Sequence, residues 1–272
     1  MPELPEVETV VRSLAPRLEG QTIVSAKLSS RRVTRQDLRR TARLLAGRRI
    51  LALRRHGKQI FADLDAGILY IHLGMTGKLL WNAEAGKHAH AILKFESGAH
   101  LVFDDPRQFG RFEYYCELPA QLARRGPDAL DIPFSEFYQR LRAHRSRIKS
   151  LLLNQAVFGG LGNIYVDEVL FRAGVHPQTL ASRISRKRAE KLHAQLGPLL
   201  HAAIAQGGSS ISDYVDAAGQ RGSFQSLHQV YGRTGKPCVV CGTPIRRIVV
   251  AQRGTHFCPK CQRHRASSSS NS

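Results

Sequence analysis

ILALRRHGKQIFADLDAGILYIHLGMTGKLLW, residues 50–81, is a succession of short β-rich runs in which no long helical pattern can be found. A further hairpin is predicted at 92–103, where Ser97-Gly98 supplies the turn. Similar runs fill the chain from about residue 23 to residue 115. Many short strands without long helices between them predict a β-sandwich or barrel.

Helical spacing flanks this β-rich part on both sides. Before it, apolar residues recur every three or four positions from 5 to 18, which predicts one helix with a buried face. After it, the proline- and charge-rich segment 124–135 is typical of a linker, and helical patterns follow. The longest spans 185–206, with Ser185 as its N-cap, and Gly207-Gly208 ends it.

These patterns predict an α+β multidomain chain, which at 272 residues is long enough for more than one core. An N-terminal helix plus β-sandwich would occupy residues 1–130, and a helical domain would occupy residues 131–225. A C-terminal metal-binding unit would follow at 226–265. The serine-rich end, 266–272, is predicted to be a disordered tail.

The chain carries a formal net charge of +20, from 41 Lys and Arg against 21 Asp and Glu. No acidic residue follows Asp216, so the C-terminal part is cationic by itself. This imbalance favours a polyanionic partner, and nucleic acid is the leading candidate. No apolar run is long enough to span a membrane, and the acidic N-terminus is unlike a signal peptide, so we expect a cytosolic protein.

The cysteines predict a metal site. Four of the five form the pattern C-x2-C-x16-C-x2-C at Cys238, Cys241, Cys258 and Cys261. In a reducing compartment this spacing predicts one structural Zn²⁺ bound by four thiolates, with a disulfide pair or a redox motif as the alternative. A Gly254-Thr255 turn between the two pairs predicts a hairpin that presents Arg253. The fifth cysteine, Cys116, is expected to be small and buried.

The N-terminus, MPELPE, supports two interpretations. Removal of Met1 would leave Pro2 with a secondary amine beside the Glu3 carboxylate, and the unprotonated amine is a nucleophile. Its attack on a sugar C1′ would give an iminium, which acidifies the neighbouring proton and favours elimination. The same residues also fit a helix start, because prolines are tolerated in a first turn and carboxylates complement the helix dipole there.

Glycines at 159, 160 and 162 directly precede a helix predicted to start near Asn163. Backbone N–H groups at such a position can bind an anion, and a DNA phosphate is one candidate. The same glycines could equally form a tight connection between two helices.

Five segments, in their order along the chain, resemble the bacterial formamidopyrimidine-DNA glycosylases. They are PELPEVETV at the start, HLGMTG at 72–77, DPRQFGRF at 105–112, GLGNIYVDE at 160–168, and the cysteine pairs with AQRGTHFC at 251–258. The resemblance implies an N-terminal helix plus β-sandwich, a helix-two-turn-helix domain that includes a base-recognition loop, and a zinc finger, with DNA between the halves.

The implied activity is that of a bifunctional enzyme of base excision repair. It would be a DNA glycosylase and AP lyase that removes oxidised purines, 8-oxoguanine and formamidopyrimidines, from duplex DNA. Cleavage of the strand by β- and δ-elimination would follow. The resemblance implies no redox or nucleotide cofactor, only the structural zinc.

The resemblance also assigns catalytic roles. Pro2 matches the nucleophile, and Glu3 matches the acid that helps to open the sugar ring. Glu6 matches a supporting carboxylate. Lys58 matches a lysine that contacts DNA near the lesion and assists catalysis, although by itself it is one cation in a hairpin. Arg253 matches a residue with both a catalytic and a DNA-binding role.

Further DNA contacts follow from the same matches. Three residues correspond to side chains that fill the gap left in the duplex when a nucleotide is extruded: Met75, Arg107 and Phe109. Without the resemblance, the methionine and the phenylalanine would be assigned to the core. Phosphate contacts are implied for His72, Asn163, Lys149 and Arg253.

The sequence departs from the family pattern in two places. Gln108 replaces a common arginine, and the tip of the base-recognition segment 209–235 has a divergent sequence, which leaves the preferred purine open. One rival is the sister endonuclease VIII type, which prefers oxidised pyrimidines, and another is a catalytically silent protein that binds damaged DNA. We expect a monomer that acts on damaged double-stranded DNA in the bacterial cytoplasm, at the nucleoid.

Overall fold

The computed structural model describes residues 1–123, 125–211 and 214–264. The predicted tail at 266–272 lies outside the described residues. In the described part of the chain, no helix is both long and apolar enough to cross a membrane.

The N-terminal part contains two four-stranded sheets. Their strands are β1 (Ile23–Leu28), β2 (Ile50–His56), β3 (Gln59–Leu64), β4 (Ile68–His72), β5 (Lys78–Trp81), β6 (Ala89–Phe95), β7 (His100–Asp104) and β8 (Arg111–Tyr115). One sheet has the order β1-β6-β7-β5 and the other has the order β2-β3-β4-β8. All pairings between neighbours are antiparallel.

The two sheets share one apolar core, because alternate residues of their strands point to the same side. Helix α1 (Leu4–Leu18) adds one face to this core and contacts β2. It starts one residue earlier than the spacing predicts. The Ser97-Gly98 turn joins β6 to β7, with a φ of 85° at Gly98. The predicted β-sandwich with its N-terminal helix is therefore confirmed.

Two short helices between β1 and β2 were not predicted: α2 (Arg31–Thr34) and α3 (Leu38–Leu45). Between them, the Gln36 side chain donates to the Tyr114 carbonyl and accepts from the Tyr114 N–H, at 2.7 and 3.0 Å. The amide thereby occupies the free edge of β8 as a neighbouring strand would. This segment covers a sheet edge that would otherwise present unpaired backbone groups.

The remaining helices are α4 (Ala120–Ala123), α5 (Phe134–Ala143), α6 (Ile148–Leu152), α7 (Asn163–Ala173) and α8 (Arg186–Ala205). Helix α8 matches the long helix predicted at 185–206, and Gly207 and Gly208, both with positive φ, follow its end. Helix α7 begins directly after the glycine loop, with Gly162 as its N-cap residue.

The chain divides into two compact units whose limits differ from the predicted domain boundaries. One unit consists of Met1–Arg125 and Ala202–Gln225, and the other of Gly126–His201 and the segment from Ser226 onward. Residues 202–225 were predicted to belong with the helices that precede them. They group with the N-terminal residues because Ser209 and Tyr214 hydrogen-bond to the first helix.

The C-terminal hairpin consists of β9 (Arg246–Val250) and β10 (Arg253–Phe257). The predicted Gly254-Thr255 turn is wrong, because both residues lie within β10. The turn is formed by Ala251 and Gln252, with φ of 50° and 57°, as in a type I′ turn. Cys116 was also predicted wrongly, since it is exposed just after β8.

Candidate functional site

The predicted nucleophile and acid lie at the start of α1. Pro2 and Glu3 are both buried, whereas Met1 is half exposed. The Glu3 N–H donates to Glu6 Oε2 at 2.7 Å, and the two glutamates form a reciprocal capping box. The helix-start interpretation of this segment is therefore correct. It is compatible with catalysis, since the same hydrogen bonds fix the backbone next to Pro2.

Glu6 also binds the segment after α8. Its Oε1 accepts the Ser209 N–H at 2.7 Å, and its carbonyl accepts the Tyr214 hydroxyl at 3.1 Å. A Cβ on Gly208 would lie only 2.8 Å from the Glu6 side chain, so this position requires glycine. Burial, together with the Glu6 charge, raises the pKa of Tyr214, which stays a neutral donor.

Lys58 occupies the two-residue turn between β2 and β3, after Gly57, whose φ is 58°. Its side chain is largely buried. The Arg55 guanidinium donates to the Gly57 carbonyl at 2.9 Å and to Glu8 Oε2 at 2.6 Å. These hydrogen bonds of Arg55 hold the turn in place, and the backbone of Lys58 is held with it.

His72 ends β4 and is held as a neutral ring. The Gly74 N–H donates to its Nδ1 at 3.0 Å, so the ring hydrogen is on Nε2. Burial, together with the nearby charges of Lys58, Arg125 and Arg111, lowers the pKa of His72 to about 4. A neutral histidine of this tautomer can donate one hydrogen bond to a phosphate oxygen.

The three residues predicted to fill the gap in the duplex lie on two loops. Met75 lies between β4 and β5, while Arg107 and Phe109 lie between β7 and β8. The methionine is 38% exposed and the phenylalanine 53% exposed, although both side chains are large and apolar. The Arg107 guanidinium lies 4.7 Å from the centre of the Phe109 ring.

Asp105 holds these two loops together. Its carboxylate is fully buried, and Oδ1 accepts the Thr76 hydroxyl at 2.5 Å and the Arg107 N–H at 3.3 Å. Its Oδ2 accepts the Gly110 N–H at 2.8 Å. A Cβ on Gly74 would lie 2.6 Å from the Gly110 nitrogen, so the backbones meet directly. The exposed apolar side chains therefore stand on a rigid base.

Gln108, which departs from the family pattern, has a structural contact of its own. It adopts a left-handed conformation with φ of 55°. The Ser30 hydroxyl, immediately before α2, donates to its Oε1 at 2.8 Å. This contact ties the loop that carries Arg107 and Phe109 to the segment after β1.

The four cysteines predicted to bind metal lie together, with ligand atoms within 4.8 Å of one another. The sulfur–sulfur distances are 3.9 Å for Cys238 to Cys261 and 3.5 Å from Cys241 to both Cys258 and Cys261. Tetrahedral zinc with Zn–S bonds of about 2.3 Å requires sulfur–sulfur edges of about 3.8 Å. The residues fit one structural Zn²⁺, with no ligand position left for water.

Strand β10 is attached to α7 through backbone groups on both sides of its third residue, Thr255. The Gly254 carbonyl accepts Asn163 Nδ2 at 3.0 Å, and the His256 N–H donates to Asp167 Oδ2 at 2.8 Å. These contacts orient the start of the strand, where Arg253 is exposed. The amide oxygen of Asn163 is buried without a hydrogen-bond partner among the described residues.

The structure buries Lys149, for which a phosphate contact was predicted. Its side chain is 0% exposed, and its ammonium lies 2.7 Å from Asp167 Oδ1 and 3.2 Å from the Gly254 carbonyl. A group with no accessible surface cannot reach a phosphate, so the implied DNA contact does not fit this structure. Lys149 instead shares its acceptors with the contacts that hold β10.

Two of the buried carboxylates were not recognised in the sequence as structural acceptors. Glu168 is fully buried and accepts the N–H groups of Gln229, Val230 and Tyr231 at 2.9–3.0 Å. Asp105 likewise accepts backbone groups of its own loop. Both stood in the quoted motifs, but a carboxylate in a charged motif is ordinarily assigned to the surface. Nothing in their spacing distinguished them.

Three segments match known protein families. Residues 1–112 match the formamidopyrimidine-DNA glycosylase N-terminal domain, and residues 125–215 match the formamidopyrimidine-DNA glycosylase H2TH domain. Residues 235–263 match a zinc finger found in FPG and IleRS. Each match falls on the part of the chain where the sequence predicted the corresponding element.

Relatives match over nearly the full chain. A formamidopyrimidine-DNA glycosylase from Solibacter usitatus is 56% identical and covers 97% of this chain and 100% of its own length. The Bacillus subtilis protein of that name is 42% identical, over 96% and 99% of the two chains.

Solved structures also match over nearly the full chain. A Lactococcus lactis FPG mutant in complex with DNA that contains Fapy-dG has a TM-score of 0.89 and 39% identity, over 97% of this chain and 100% of that chain. MutM (FPG) from Thermus thermophilus has a TM-score of 0.87 and 41% identity, over 96% and 98% of the two chains.

Replacement of Asp105 by asparagine tests the loop anchor. The amide nitrogen cannot accept the N–H or hydroxyl donors, so we expect the free energy of unfolding to fall by about 1–3 kcal/mol. Excision should also slow, since the two loops lose their common acceptor. The measurements are urea unfolding and single-turnover excision. Asp104→Asn, one residue earlier in β7, is the matched control, and equal effects of both substitutions would contradict the anchor.

The neutral state of His72 predicts a pH dependence of stability. Between about pH 6.5 and pH 4 the unfolded chain binds a proton that the folded ring does not, so stability falls as the pH is lowered through this window. Burial also lowers the pKa values of His176 and His228 to about 4, and these groups act in the same direction. His72→Gln should therefore lose less stability than the wild type between about pH 7 and pH 4.5, measured by urea unfolding. An identical loss would show that the folded ring becomes protonated freely.

Proposed function

The chain belongs to the formamidopyrimidine-DNA glycosylase family, and from this premise we propose that Pro2, freed by removal of Met1, is the nucleophile of its reaction. The protein is a bifunctional DNA glycosylase and AP lyase of base excision repair that removes oxidised purines from duplex DNA. The endonuclease VIII-type alternative is not favoured.

The proposed reaction begins with the secondary amine of Pro2. Its lone pair forms a bond to C1′ of the damaged nucleotide while the bond from C1′ to the base breaks, and the base leaves with the proton that the Pro2 nitrogen releases. Glu3, the adjacent carboxyl group, protonates the sugar ring oxygen as the ring opens to an iminium. Loss of a C2′ proton then expels the 3′ phosphate oxygen, and loss of the C4′ proton in a second elimination expels the 5′ phosphate oxygen.

The observation that carries this proposal is the pair of exposed apolar side chains on a rigid base. An enzyme that extrudes a nucleotide must offset unstacking of a few kcal/mol, and side chains that enter the gap do this. Met75 and Phe109 are exposed although both are apolar, and the Asp105 carboxylate fixes their loops. A catalytically silent protein that binds through charge alone has no use for such side chains.

The surrounding residues are assigned to binding. Lys58 and His72 lie close together in the sheet β2-β3-β4-β8, because Gln59, the residue after Lys58, pairs with His72. We assign both to the phosphates next to the lesion, with Lys58 also assisting catalysis. Asn163 and Arg253 are assigned to phosphates through α7 and the hairpin, and Arg253 additionally to the elimination steps.

The zinc finger has a structural role. The four thiolates would hold one Zn²⁺ and leave no ligand position for substrate, so the metal would stabilise the fold of the finger and would not act on the substrate as a Lewis acid. We propose that the protein acts as a monomer in the bacterial cytoplasm, at the nucleoid.

A comparison of two lesions tests the proposed substrate class. Excision is measured under single-turnover conditions on matched duplexes that contain either 8-oxoguanine opposite cytosine or thymine glycol opposite adenine. We expect faster release of 8-oxoguanine, together with strand cleavage at the resulting abasic site. Faster release from thymine glycol would assign the protein to oxidised pyrimidines. Tight binding with release from neither duplex would favour the silent binding protein.

A further inference from the structure

The segment between β1 and β2 is strongly basic. Residues 31–49 contain eight arginines and a single acidic residue, Asp37. None of these arginines belongs to the residues assigned above to catalysis or to DNA contact. Three of them, Arg39, Arg40 and Arg43, lie on α3 and are exposed.

Helix α3 presents these arginines on a fixed backbone. Thr41 and Leu45 are buried, and the Asp37 carboxylate caps the helix by accepting the Arg40 N–H at 2.7 Å. The preceding Gln36 is hydrogen-bonded to the backbone of β8 at both ends of its amide. The basic face of α3 therefore belongs to an ordered helix and not to a loose, solvated connection.

Within the part of the chain that the structure describes, the arginines of α3 lack the acidic partners found on other helices. On other helices, exposed or half-buried arginines pair with a glutamate four residues away, as in Arg12–Glu8, Arg140–Glu136 and Arg186–Glu190. Among the described residues, no carboxylate forms an ion pair with an arginine of α3.

The spacing of the arginines within α3 also destabilises the helix. Arg39 and Arg43 are four residues apart on one helix, a separation at which like charges destabilise a helix by a few tenths of a kcal/mol. A rigid surface with repelling cations is stabilised when a polyanion binds it. The one acidic residue of the segment 31–49, Asp37, is already engaged as the N-cap.

We propose that the α3 face, Arg39, Arg40 and Arg43, is a second DNA-contact surface that binds the phosphate backbone of duplex DNA irrespective of sequence or damage. The proposal rests on the proposed function in taking DNA as the polyanion, since that is the substrate the chain must search. Its role is to strengthen non-specific binding. Counterion release from the phosphates supplies the free energy of this contact.

The test compares two variants of equal net charge. One carries Arg39→Gln, Arg40→Gln and Arg43→Gln, and the control carries Arg12→Gln, Arg54→Gln and Arg186→Gln, which removes three exposed arginines that have carboxylate partners. Each variant lowers the formal charge from +20 to +17. Binding to an undamaged duplex is measured at several salt concentrations, and circular dichroism confirms that both variants are folded.

We expect the α3 variant to reduce the slope of log K against log salt by about 2 to 3, since each phosphate contact contributes about 0.9. The control should keep the wild-type slope to within one contact. Equal slopes in the two variants would overturn the proposal, because the effect would then reflect total charge alone.

Two further outcomes are informative. If the α3 variant keeps the wild-type slope but loses binding to vesicles that contain phosphatidylglycerol, the surface serves a membrane and the proposal is wrong. Excision of 8-oxoguanine by the wild type is measured in parallel. Absence of excision together with a reduced slope in the α3 variant would refute the proposed enzyme while supporting the second DNA surface.

Discussion

Both the start of the chain and the segment after its longest helix depend on one buried carboxylate. Glu6 accepts the Glu3 N–H with one oxygen and the Ser209 N–H with the other, each at 2.7 Å. A buried carboxylate left without such donors would cost about 1–3 kcal/mol for each lost partner, so both segments are held in one place. The position of Pro2 therefore follows from a contact that joins residues 203 positions apart in the sequence.

Buried carboxylates accept hydrogen bonds in the same way at the other elements that carry functional side chains. Asp105 joins the loops of Met75 and Phe109. Glu168 accepts the backbone N–H groups of residues 229–231, just before the zinc finger. Asp167 orients β10 through the His256 N–H. In each case a carboxylate accepts backbone N–H groups, and Asp105 also accepts the Thr76 hydroxyl, so the functional side chains themselves remain available. Loops held in this way can expose apolar side chains without collapsing onto the core.

Much of the fold and of the metal site could be predicted because local spacing determined them. The period of the apolar residues in α1 predicted its buried face, and the cysteine spacing predicted the zinc site. Helix α3 was missed because eight residues with three arginines have too little apolar periodicity. The turn of the finger was misplaced because Ala251 and Gln252 adopt positive φ, a conformation that the glycine at 254 is intrinsically better suited to adopt. Lys149 was misassigned because a lysine is rarely buried unless paired, and its partner Asp167 is 18 positions away.

The claim that Pro2 is the nucleophile is tested most directly by borohydride trapping. The protein is incubated with a duplex that contains one 8-oxoguanine opposite cytosine, reduced, digested, and analysed by mass spectrometry of the N-terminal peptide. We expect a reduced sugar adduct on the nitrogen of Pro2, in chains that have lost Met1. An adduct on a lysine such as Lys58, or no adduct despite tight binding, would contradict it.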